Sequence, residues 1–341
     1  MNYNENEKYD SNGDINLFDQ ENNNSELEEE NQLSNENYEL TEEEIMMLSE
    51  AKENSLKLVM RKTFFSLLIY VLVGNLIASL LALFMDFGLV MILVVTIPLL
   101  LVAKQLPFIK LKELFKYKRN DIKKTDIIYF FGLGLLLNAI ISLAVAFILQ
   151  KLGLQSTSVT QTIQTQMSPM LLIYVVLVGP IVEEILYRGY LGQNLARFSK
   201  NGAIIFVSIV FAISHLNIEQ SFSIMGLAFL VTYIGLNYSF LMATILHILN
   251  NANSIIVLNL VEKFGESSAV VNVYSVALIF LMIYAAIRFF RRGRFDLKAN
   301  IESSPEEKKY TKKILTSPYT FMILAFYLIM MYLTYQAQSL L

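Results

Sequence analysis

The feature that most constrains this chain is a series of apolar runs, most of them about the length needed to cross ~30 Å of hydrocarbon. Reading between polar breaks gives nine, near 63–85, 87–103, 126–149, 168–190, 202–216, 222–237, 239–260, 270–290 and 318–336. The composition agrees: 55% of the 341 residues are hydrophobic, 17% are charged, and the mean hydropathy is +0.48. A soluble protein of this length would carry more charge on its surface. The expected fold is an all-α, polytopic transmembrane helix bundle of about eight to nine spans. The 202–216 run is short, which implies tilt, burial among neighbours or an extension.

Lysine and arginine orient the bundle. The segment Lys104 to Lys124 holds eight basic residues, so the positive-inside rule assigns it to the cytoplasm. Counting outward, the Arg188–Lys200 connection and the Arg288–Arg294 cluster fall on the same side, and both are basic. The segments 151–167, 217–221 and 261–269 fall opposite and hold few basic residues. The N-terminus is then cytoplasmic and the protein a multi-pass protein of the cell membrane. Leu106, Phe108, Leu111, Leu114 and Phe115 among the lysines also suit an amphipathic helix on an anionic leaflet; the simpler reading is a topology-setting loop.

Residues 1–50 contain sixteen Asp and Glu against one Lys, leaving +12 on the remainder of the chain. Such an acidic, Asn-rich segment has too few apolar residues to offset its ordering entropy, so it reads as a disordered cytoplasmic tail ahead of a transmembrane domain at 55–341. It lacks the basic start and apolar stretch of a signal peptide, and the first run reads as an uncleaved anchor. The absence of cysteine excludes disulfides, thiolate metal sites and cysteine nucleophiles. With no tryptophan, tyrosine is the expected interfacial anchor. No phosphate loop or nucleic-acid signature is present, so the expected partners are the bilayer and a peptide or membrane-protein substrate, with no nucleic acid.

Ionisable residues inside spans cost about 2.5–3.5 kcal/mol each on insertion and mark function by default. Between Ile127 and Leu260 the only acidic residues are Glu183, Glu184 and Glu219, and Glu219 falls in an expected turn. Glu184 and Arg188 stand one helical turn apart, in the favoured order for an ion pair. Glu183 points about 100° away, leaving one carboxylate free for chemistry. A purely structural ion network fits the helix equally well. The two histidines of the chain, His215 and His247, both fall in expected spans. Phe211 precedes His215, and Asn251 follows His247, each by one turn. Two histidines and a glutamate pair can activate water; interhelical hydrogen-bonding glue is the bland reading of the amides.

Glu183-Glu184-x-x-x-Arg188, Phe211-x-x-x-His215 and His247-x-x-x-Asn251 together resemble the signature of the CPBP intramembrane proteases. These are relatives of the type II CAAX prenyl endopeptidase, also called Abi or CAAX protease self-immunity proteins. The resemblance covers about 165–260. It implies an intramembrane endopeptidase without a cofactor, in which Glu183 and His215 activate water while His247 and Asn251 stabilise the oxyanion. Glu184 and Arg188 would orient the motif and Phe211 would pack behind His215. The rival within the family is a zinc site on Glu183, His215 and His247. Two further classes stand beside it: a non-catalytic scaffold or immunity and regulatory protein of the same fold, and a transporter, whose inverted repeat is not visible. One geometric demand follows. For Glu183 and His215 to share a site, their helices need tilt, a later inner boundary than 190, or a break at Gly179-Pro180.

Overall fold

A computed structural model describes residues 41–103, 114–115, 123–151 and 167–339. Most of the basic segment 104–124, the expected outer segment 152–166 and residues 1–40 of the acidic tail lie outside the described residues. The described elements are helices, with no strand among them. In chain order they are α1 (Glu42–Leu81), α2 (Phe87–Val102), α3 (Asp126–Lys151), α4 (Pro169–Ala196), α5 (Lys200–Ile213), α6 (Ile218–Ser223), α7 (Met225–Asn237), α8 (Phe240–Phe264), α9 (Ala269–Ile301), α10 (Pro305–Leu315) and α11 (Pro318–Ser339).

Every expected apolar run falls on a helix, yet among the described residues only six helices are long and apolar enough to cross a membrane: α1, α3, α4, α8, α9 and α11. α2, α5 and α7 are shorter. At ~1.5 Å per residue, the 14 residues of α5 rise about 21 Å and the 13 of α7 about 20 Å, against ~30 Å of hydrocarbon. Both are lined almost all round with buried residues, so they are interior helices, wrapped by the long ones. Two boundaries also differ from expectation. Glu219 lies in the first turn of α6, and α1 begins at Glu42, inside the segment read as a tail. The second has a local cause: Thr41 and Glu44 form a reciprocal capping box, the Thr41 N–H donating to Glu44 Oε2 at 2.8 Å and the Glu44 N–H to Thr41 Oγ1 at 3.3 Å.

Most later helices start the same way. Ser168, Ser199, Asn217, Ser239, Ser268 and Ser304 each accept a hydrogen bond from a first-turn N–H. α4 and α5 form an antiparallel hairpin about Ser199. α7 packs on α5, and α8 on α4 and α7. α3 lies against α9 and α7 around a core of Tyr129, Phe130, Leu133, Leu230, Val231 and Ile234. At the far end α10 closes on α5, where Ser199 and Thr311 share a hydrogen bond of 2.7 Å. Gly202 makes that approach possible, since a Cβ there would lie 3.1 Å from Thr311 Cα.

Candidate active site

α4 carries both glutamates and does not break at Gly179-Pro180. Proline offers no N–H, and its ring crowds the carbonyl one turn back. The helix accommodates it by widening: Tyr174–Val178 is a π turn in which the Gly179 N–H reaches back to the Tyr174 carbonyl. A second π stretch, Ile185–Gly192, follows directly. Glu183 and Glu184 thus sit on a short α segment, Gly179–Glu184, between two wide turns, a distortion frequent at functional sites.

Glu184 and Arg188 pair as expected, at 2.9 Å, and both are buried. Arg188 also donates from Nε to Thr232 Oγ1 at 3.0 Å and from Nη2 to the Ala228 carbonyl at 3.3 Å, while its guanidinium lies 4.0 Å from the Phe211 ring centroid. One cation therefore ties α4 to α5 and α7. A buried charge is tolerated only with such a set of partners.

His247 reaches this pair from α8. Its Nδ1 is 2.8 Å from Glu184 Oε1. An ionised carboxylate can only accept, so Nδ1 carries the proton of that bond. Glu184 Oε1 serves both Arg188 and His247, while Oε2 is buried with no hydrogen-bond partner. The other ring nitrogen, Nε2, stands 3.6 Å from Glu183 Oε2, a charge contact longer than a hydrogen bond. Glu183, which interacts electrostatically with Tyr174, Tyr187 and Arg188 along its own helix, thus also has a partner across the bundle. It keeps 22% of its side-chain exposure, whereas Glu184 has none.

His215 stands just beyond the end of α5 rather than within it, and the chain turns away at once through Leu216, whose φ is 54°. Its Nδ1 lies 3.1 Å from the Phe211 carbonyl, which leaves Nε2 as its acceptor. Phe211 is the hub: edge-to-face with His215 at 5.1 Å, His247 at 5.5 Å and Tyr187 at 5.2 Å. Glu183 and His247 both interact electrostatically with His215. The demand on depth is met by a later boundary. α4 runs on to Ala196, so Tyr187 meets Phe211 across the hairpin, and Glu183 and His215 stand level one turn further from Ser199.

Asn251 donates to the Val175 carbonyl, inside the first π turn, at 2.9 Å. Its Oδ1 faces Asn250 Nδ2 at 3.5 Å, and Asn250 Oδ1 accepts from Asn138 of α3 at 3.2 Å. Three amides thus align head to tail toward the site. Asn253 points elsewhere, accepting from Tyr274 of α9 at 2.8 Å, and is plain interhelical glue.

Sequence reasoning missed Asn138, Thr232 and a set of tyrosines. Tyr70, Tyr174 and Tyr187 all interact electrostatically with Glu183. These three line the interior instead of anchoring at the interface, and nothing in their local sequence separates them from anchors. Among the described residues no three of His, Asp and Glu are grouped to hold a metal ion.

The described residues form a helical membrane bundle with a cluster of ionisable side chains in its interior. Residues 165–253 match the family model of the Rce1-like type II CAAX prenyl endopeptidases. This is the family that the three motifs resemble. The match contains Glu183, Glu184, Arg188, Phe211, His215, His247 and Asn251, and leaves Asn138 outside. No curated protein and no solved structure gives a significant match.

Proposed function

We propose that this chain is a CAAX-type intramembrane endopeptidase that hydrolyses a peptide bond of a membrane-associated peptide or protein. Glu183 carries the reading: within the matched region it is the carboxylate of the cluster that keeps exposed surface, with an imidazole nitrogen 3.6 Å away. In this scheme Glu183 takes a proton from water while His215 Nε2 accepts the water's second hydrogen bond and orients it. The hydroxide oxygen bonds to the scissile carbonyl carbon, whose π electrons move onto its oxygen. Glu183 then returns the proton to the leaving nitrogen as the C–N bond breaks.

The geometry refines the oxyanion donors. His247 Nδ1 is committed to Glu184, so any contact His247 makes with the oxyanion is through Nε2, beside Glu183. Asn251 Nδ2 has two hydrogens, and only one is used on Val175. Donors held in place before reaction are what oxyanion stabilisation requires. Glu184 and Arg188 take the positioning role, fixing His247 and α7.

The same reading makes the protein a multi-pass protein of the cell membrane with a cytoplasmic N-terminus. Lys123, Asn201 and Arg288 gather at one end of the bundle, which supports a common side for the three basic connections. The test is cleavage by purified protein in proteoliposomes, with substrates found by comparing membrane-associated peptides in wild-type and Glu183→Gln cells. Turnover that survives Glu183→Gln overturns the protease reading. A cellular phenotype that also survives it favours the non-catalytic scaffold, and turnover abolished by chelation and restored by zinc favours the metal-dependent version.

A further inference from the structure

Behind the cluster, on the opposite face of α7, lies a cavity of about 1020 Å³ between α3, α7, α9 and the start of α5. It shares no lining residue with the candidate active site. Its chemistry is graded. Along α3 the lining runs from Lys123 and Asp126 to Leu137 and Ile140; along antiparallel α9 the charges, Arg292 and Asp296, fall at the same end as Lys123. One end is therefore charged and the other wholly apolar.

The dimensions indicate what fits. From Lys123 to Ile140, at ~1.5 Å per residue, the lined stretch is about 25 Å. One leaflet, half of a ~30 Å hydrocarbon core plus its headgroup region, spans about 20–22 Å. The volume lies at the upper limit of small-molecule sites, ~300–1,000 Å³. The charged end carries Lys123, Arg288 and Arg292 against Asp126 and Asp296, an excess of one positive charge. Asp126 is paired to Arg288, which also lies 4.4 Å from the Tyr129 ring centroid. Arg292 and Asp296 are 3.7 Å apart and the arginine is 81% exposed. Basic side chains near a membrane surface attract anionic headgroups.

We propose that this cavity is a binding site for one phospholipid with an anionic headgroup, its phosphate at Lys123 and Arg292 and an acyl chain along the apolar wall of α3 and α7. The occupant braces α7 from behind, on the helix whose other face offers Ala228 and Thr232 to Arg188. The assignment is independent of the protease reading, because it is measured by binding.

The test is native mass spectrometry of the full chain released from vesicles of equal phosphatidylglycerol and phosphatidylcholine. The expected result is one retained phosphatidylglycerol per chain. Lys123→Gln with Arg292→Gln removes two exposed charges and should lower that retention by about fivefold for each. Ile140→Trp, at a half-exposed lining position, should lower retention of both lipids by narrowing the apolar end. Equal retention of the two lipids by the wild type, no retained lipid, or retention unchanged in both variants overturns the proposal.

Discussion

Two arginine–carboxylate pairs hold this bundle together, and they differ in almost every respect but chemistry. Glu184–Arg188 has side-chain exposures of 0% and 1%; Asp126–Arg288 has 14% and 33%. The first lies within one helix, yet it gathers His247, Thr232, Ala228 and Phe211 from three others. The second joins α3 to α9 directly and is partly exposed. A buried pair is weak evidence for stability, because desolvation offsets its attraction, but breaking one is costly. The inner pair is thus best understood as a device for position. It fixes an imidazole between two carboxylates and leaves the neighbouring Glu183 outside the Arg188 ion pair. The outer pair is a clamp at a cavity mouth.

The largest expected effect lies beside the inner pair. Glu183→Gln should lower kcat by about 10²–10⁴-fold, the usual worth of a general base, with the unfolding temperature close to wild type. A matching loss of stability would make Glu183 a structural residue and remove the contrast with Glu184. Next comes the pair itself: Arg188→Met strands the buried Glu184 and should cost about 3–5 kcal/mol in denaturant titration in micelles. Adding Glu184→Met should recover part of it; a double variant no more stable than the single one would show that neutral partners cannot replace the charges. Asn138→Leu removes one hydrogen bond of the amide relay, about 1 kcal/mol or roughly fivefold in kcat with KM unchanged. A change in KM alone would place Asn138 in substrate binding. Smallest is the outer pair, where Asp126→Asn should shift stability by no more than about 1 kcal/mol at low salt and less at high salt.

What was legible in the sequence follows the same inner and outer division. Helices could be read because continuous apolar runs and Ser or Asn caps are local signals. Glu184 with Arg188, and His247 with Asn251, could be read because helical periodicity places each pair on one face. The number of spanning helices could not, since α5 and α7 are as apolar as the long helices and differ in being surrounded. The π turns in α4 could not either: Gly179-Pro180 announces a disturbance but not whether the helix breaks or widens. Nor could Asn138, whose partner Asn250 lies five helices on in the chain. Contacts of that kind are decided by packing. The start of α1 was missed although its capping box, Thr41-x-x-Glu44, is a written signal. The acidic composition around it pointed to disorder.

The α4–α5 hairpin has one more consequence. Tyr187 meets Phe211 edge to face, and Glu183 comes within electrostatic reach of His215, with the two members of each pair the same number of residues from Ser199. The chain between the two residues works as a folded ruler. Deleting a single residue from one arm would rotate that arm's functional side chain by about 100° and slide it ~1.5 Å, whereas changing its identity need do neither. Relatives that share this chemistry should thus keep the tally between Glu183 and His215 more strictly than the letters.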